Sequence, residues 1–132
     1  MDARDNKNLT TEENKNIETT RGGWFISPAA DIYETENDYK MIFDIPGVEK
    51  ENINLNVEKD VLTLTAECFK EPGKDYSLIR SEMEYTGYKR SFDLNNVVNS
   101  DQIKADYHDG TLILVLPKKE EQKTREIKIN VN

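Results

Sequence analysis

ADYHDGTLILVLPK, residues Ala105 to Lys118, reads as a half-polar strand, a tight turn at Asp109-Gly110, a wholly apolar strand and a proline that ends it. A two-residue hairpin loop requires positive φ at its centre, which an Asp-Gly pair supplies at low steric cost, and the runs on either side have strand length. Leu112, Leu114 and Leu116 alternate along the second strand, and Ile113 and Val115 fill the gaps between them. A strand apolar on both faces is expected to be covered on both sides.

Upstream, the same period of two repeats. Tyr39, Met41, Phe43 and Ile45 alternate with Lys40, Ile42 and Asp44 before a turn at Pro46-Gly47. Ile53, Leu55 and Val57 alternate with Asn52, Asn54 and Asn56; after Glu58-Lys59-Asp60, Leu62, Leu64 and Ala66 alternate with Thr63 and Thr65. Further alternation follows at Tyr88, Arg90, Phe92 and Leu94, and at Ile103, Ala105 and Tyr107. Short alternating strands bounded by turn residues predict an all-β, antiparallel sandwich. Between Cys68 and Tyr85 the pattern lapses into FKEPGKDYSLIRSEME, broken at Pro72-Gly73, with Tyr76 to Arg80 as a candidate extra strand. A connection of that length in a compact domain is either a mobile surface excursion or engaged elsewhere.

The 132 residues allow one domain with two arms: a polar arm at 1–26, a domain at 27–117 and a tail at 118–132. Their net charges are −1, −9 and +2, which total −8. A body this acidic repels nucleic-acid phosphate and anionic lipid, so neither is expected as the main partner, and it attracts its own basic tail. Residues 1–23 offer only Met1, Ala3, Leu9 and Ile17 as apolar groups, which cannot build a core, so the arm is expected to be disordered. Trp24-Phe25-Ile26 interrupts this polar text, either as a lid packed on the domain or as an exposed patch that contacts other chains.

Cys68 is the only cysteine, which excludes an internal disulfide and any multi-cysteine zinc site. No apolar leader-like run stands near the N-terminus and no stretch has the length of a membrane span, so a cytoplasmic address is expected. In the tail, Ile127, Ile129 and Val131 alternate with polar residues, the pattern of a plug seeking a groove. Burying two isoleucines gains about 3–6 kcal/mol, while ordering a few tail residues costs roughly 1–2 kcal/mol each. Near-balance of these terms predicts a plug that docks, releases and exchanges.

Taken in order, these fragments resemble the Hsp20/alpha-crystallin family of small heat shock proteins. The resemblance rests on SPAADIYETENDY at Ser27 to Tyr39, DIPGV at Asp44 to Val48, INLNVEKDVLTLTAE at Ile53 to Glu67 and YKRSFDL at Tyr88 to Leu94. It is completed by the A-x-x-x-D-G-x-L signature at Ala105, Asp109, Gly110 and Leu112. The resemblance implies an immunoglobulin-like alpha-crystallin domain with flexible arms, an ATP-independent holdase that binds partly unfolded clients, and a homodimer assembling into larger homo-oligomers. It places the groove for an I-x-I/V plug (Ile127, Ile129, Val131) between Ile53, Leu55 and Val57 on one strand and Ile103 and Ala105 on another. It puts Tyr76, Leu78, Arg80 and Arg90 at a dimer interface, through an excursion that crosses to the neighbour, and leaves client contact to Trp24, Phe25 and Ile26. Two departures stand out. The family's R-x-E-R is represented only by Arg80 and Glu82, with Met83 in place of the second arginine, and in residues 1–26 only Trp24-Phe25-Ile26 stands for the Phe-rich arm that relatives often have.

Other classes find less support. His108, the only histidine, lies near Asp106 and Asp109, but no nucleophile or pocket is marked beside it, so no catalytic residue is expected. Cys68 suits a small packing residue better than a redox centre. No phosphate-cradling G-x-x-x-x-G-K pattern and no metal-ligand cluster occurs, so neither cofactor nor metal is expected. The alternative of different class is a p23/CS-type co-chaperone or adaptor, which shares the sandwich and differs in being monomeric.

Overall fold

The computed structural model describes residues 10–11, 17–20, 23–68, 73–82, 86–123 and 127–130, with 10–11, 17–20 and 23 described in backbone only. Ten strands follow in chain order: β1 (Thr10–Thr11), β2 (Ile17–Thr20), β3 (Gly23–Ile26), β4 (Ala29–Glu34), β5 (Asp38–Asp44), β6 (Val48–Glu58), β7 (Val61–Cys68), β8 (Gly87–Asp93), β9 (Lys104–His108) and β10 (Thr111–Pro117). They form two sheets, one ordered β2-β3-β8-β7-β6 with β1 also on β8, the other β4-β5-β10-β9. The result is the β-sandwich that the alternation predicts, with the immunoglobulin-like architecture that the family resemblance implies.

The hairpin at Asp109-Gly110 has positive φ at both central residues, 48° and 85°, and its register pairs Thr111 with His108. Lys59-Asp60 makes the same kind of turn between β6 and β7, with φ of 53° and 65°. From these turns the inward faces follow: Met41 and Phe43 from β5, Leu62, Leu64 and Ala66 from β7, Tyr88 and Phe92 from β8, and Leu112, Leu114 and Leu116 from β10 are all buried. Phe43 and Phe92 meet across the layers edge to face, with centroids 5.7 Å apart. Tyr88 and Tyr107 staple the loop before β6 by donating hydroxyl bonds to the carbonyls of Pro46 (3.0 Å) and Val48 (2.6 Å).

Four expectations change. The N-terminal segment, read as a disordered arm, contributes β1, β2 and β3 within its described residues, and β3 joins β8 in parallel. Ala29–Glu34 forms an unanticipated edge strand, because Asp31, Ile32, Tyr33 and Glu34 are all exposed and carry no alternation to read. Tyr76 to Arg80 forms no strand within this chain. Ile113 and Val115 are half-buried, not covered: β10 runs between β5 and β9, so neighbouring side chains such as Ile42 shield them, and among the described residues no further layer lies over that face.

Candidate functional site

β6 and β9 are the terminal strands of their sheets, and they lie at the same side of the sandwich. Among the described residues no strand pairs with their outer edges, so the two layers gape there. Leu55 and Val57 point inward from β6, in register with Leu64 and Leu62 of β7, and Ala105 points inward from β9 opposite Leu114. With Ile103, they line a cleft of roughly 380 Å³ whose floor is Leu62 and whose lip is Asn56, Ser100 and Asp101. Of the five groove residues expected from the sequence, Ile53 alone lies outside the lining and packs against the core. The polar lip was not foreseen, since Ser100 and Asp101 sit in a short 3-10 turn (Ser100–Gln102) that no period of two can signal. An apolar floor between two unpaired strand edges suits an extended segment that presents alternate aliphatic side chains.

The tail leaves β10 through a fixed root. Lys118 N donates to the Asn37 carbonyl (2.9 Å) and Lys119 N to the Val97 carbonyl (3.0 Å). The Lys118 ammonium reaches Glu34 at 2.7 Å and lies 5.1 Å from the Tyr39 ring centroid, with its side chain only 9% exposed. A 3-10 turn, Glu120–Gln122, follows. Lys118→Ala removes both the ion pair and the ring contact, and it is expected to lower unfolding free energy by about 1 kcal/mol, measured by urea denaturation. Beyond the root, Ile127 and Ile129 are 85% and 84% exposed; Val131 lies outside the described residues.

At the opposite side of the first sheet, the expected client-contact residues divide. Phe25 is buried as a lid, Ile26 is half-buried and Trp24 is about half exposed. Arg90, expected at a dimer interface, bonds here within its own chain: Nη1 donates to the Pro28 carbonyl at 2.9 Å and the guanidinium lies 4.9 Å from the Phe92 ring centroid. Burial pulls the Arg90 pKa below its ordinary value. The other expected interface residues, Tyr76, Leu78 and Arg80, stand in solvent on the 73–82 segment, where Leu78 is 81% and Ile79 95% exposed. Among the described residues Arg80 pairs with Glu82, at 2.9 Å between exposed side chains, a contact of little energetic weight.

The remaining polar candidates are ordinary surface groups. His108 Nε2 lies 3.0 Å from Asp109, both side chains in solvent at the hairpin tip. Cys68 ends β7 half-buried, with its sulfur 4.0 Å from the Pro46 carbonyl. Among the described residues no group of three or more His, Cys, Asp or Glu side chains could hold a metal ion, and no helix is long and apolar enough to cross a membrane.

Comparison with known proteins points in one direction. Residues 31–132 match the Hsp20/alpha crystallin family. The chain is 34% identical over 108 residues to small heat shock protein C4 of Rickettsia felis, an alignment covering 80% of this chain and 65% of that relative. It is 38% identical over 119 residues to a probable 15 kDa heat shock protein of Leptospira interrogans, covering 86% and 84%. Among solved structures, the small heat-shock protein of Xylella fastidiosa, described as having a distinct high order structure, superposes with a TM-score of 0.60 at 27% identity, covering 79% of this chain and 96% of that one.

Proposed function

Because the chain belongs to the Hsp20/alpha crystallin family, which supports a chaperone role, we propose that it is an ATP-independent holdase that caps partly unfolded proteins and suppresses their aggregation. The observation that carries this reading is the pairing of an open apolar cleft with an exposed aliphatic hook in one molecule: Leu55, Val57, Ile103 and Ala105 on one side, Ile127 and Ile129 on the other. The hook fills a neighbour's cleft, and the near-cancellation of burial and ordering terms keeps it exchangeable. Many weak dockings hold an oligomer through effective concentration. Heat shifts that equilibrium and uncovers apolar surface that meets the strand edges and apolar patches of a failing client. The acidic body keeps the loaded complex in solution.

Dimers are the building block in this proposal. The 73–82 segment, with Leu78 and Ile79 in solvent, crosses to the unpaired edge of β4 on a second copy. A cytoplasmic address belongs to the same proposal. Citrate synthase heated with an excess of this protein and no ATP should show strongly reduced light scattering; undiminished scattering overturns the holdase reading. Native mass measurement separates it from the adaptor alternative, for which a monomer is expected.

A further inference from the structure

The edge of β8 is closed by the chain's own Gly23–Ile26, and the contacts that close it describe a receptor. β3 runs parallel to β8 with Phe25 opposite Gly87 and Ile26 opposite Tyr88. The Trp24 carbonyl accepts from both Thr86 N (2.7 Å) and Thr86 Oγ1 (3.1 Å), and the Pro28 carbonyl accepts from Arg90 Nη1 (2.9 Å). Every one of these hydrogen bonds uses a backbone carbonyl, two at Trp24 of the strap and one at Pro28 just beyond it. Any extended segment offers the same carbonyls, so they carry affinity without sequence preference.

The side-chain preference comes from Gly87. A Cβ built there would stand 2.7 Å from a Phe25 ring carbon and collide with the Ala66 carbonyl, so the absence of a side chain is what lets the ring lie against the strand. Phe25 is 7% exposed in that notch, whereas Trp24 beside it is 49% exposed. Only two residues of the strap pair with β8, in the parallel arrangement that is weaker per residue, so the strap opens at far lower cost than the sandwich. β7 separates this edge from β6 and its cleft.

We propose that the Thr86–Tyr88 edge and the Gly87 notch form a second strand-accepting site, distinct from the β6–β9 cleft, for extended aromatic-bearing segments of unfolded proteins, with Gly23–Ile26 as its replaceable resident. The holdase reading enters only in naming the occupant. Phe25→Ala empties the notch and removes the strap's side-chain anchor, so the resident leaves the edge more readily. A fluorescein-labelled peptide copying residues 23–28 should bind this variant about tenfold or more tightly than it binds the unsubstituted chain, whose site is occupied. The same peptide with its phenylalanine replaced by alanine should lose that gain. A peptide copying residues 123–132, directed at the other cleft, should not displace the probe. Equal affinity for both proteins, retention of the gain by the alanine peptide, or displacement by the tail peptide would each overturn the proposal. Should the variant fail to fold, titrating the probe into the unsubstituted chain should shift the amide NMR signals of Thr86, Gly87 and Tyr88; shifts confined to β6 and β9, or none at millimolar probe, would refute it. Both readouts use peptide binding without a heated client, so a failed holdase assay leaves them interpretable.

Discussion

Replacing Ile127 and Ile129 together by alanine is expected to reduce the proposed oligomer to dimers, read as a fall in sedimentation coefficient at micromolar concentration. Each substitution removes three carbons, and at about 0.8 kcal/mol per buried CH₂ the pair loses about 5 kcal/mol of docking free energy. That weakens each docking by more than three orders of magnitude, beyond what effective concentration restores. The folded domain should be unaffected, since both side chains are 85% and 84% exposed in the single chain and contribute nothing to its core. Denaturation midpoints of the isolated dimer and of the variant should therefore coincide. An unchanged sedimentation coefficient would remove the tail from the assembly mechanism.

Phe92→Ala carries the largest expected effect on stability. Phe92 is fully buried and edge to face with Phe43 at 5.7 Å, and its ring also lies under the Arg90 guanidinium, 4.9 Å away. Truncation leaves a cavity between the layers and is expected to cost about 3–5 kcal/mol, a large share of the roughly 5–15 kcal/mol that holds a domain folded. The urea midpoint should fall steeply. Lys40→Ala, on the exposed outer face of β5, serves as control and should stay within about 0.5 kcal/mol. Because Arg90 also holds the Pro28 carbonyl, losing the ring beneath it should loosen the strap over β8 before the sandwich unfolds. Trp24 fluorescence reports that loosening as a shift to longer wavelength at low denaturant.

The cleft was legible in the sequence to the extent that its walls alternate. Leu55 and Val57 declare an inward face by their asparagine neighbours, and Ile103 and Ala105 do so ahead of the Asp109-Gly110 turn. Its polar lip was not, because Ser100 and Asp101 gain their meaning from standing across the gap from Asn56. β4 escaped notice for the opposite reason to β10: a strand exposed along Asp31–Glu34 has no buried face for a pattern to record. At β10 the double apolar face suggested two covering layers, yet a central strand shields its outer side chains with those of β5 and β9 alone.

Local grammar determined the hairpin and the strand periods, since turn chemistry and side-chain alternation act between residues a few positions apart. Tertiary structure alone decided that Phe25 lies in the notch at Gly87 and that Arg90 reaches Pro28. Those contacts span 62 residues of chain. A glycine shows no preference for an aromatic ring until the fold brings one against it, and only closure of the two sheets fixes which edges remain open.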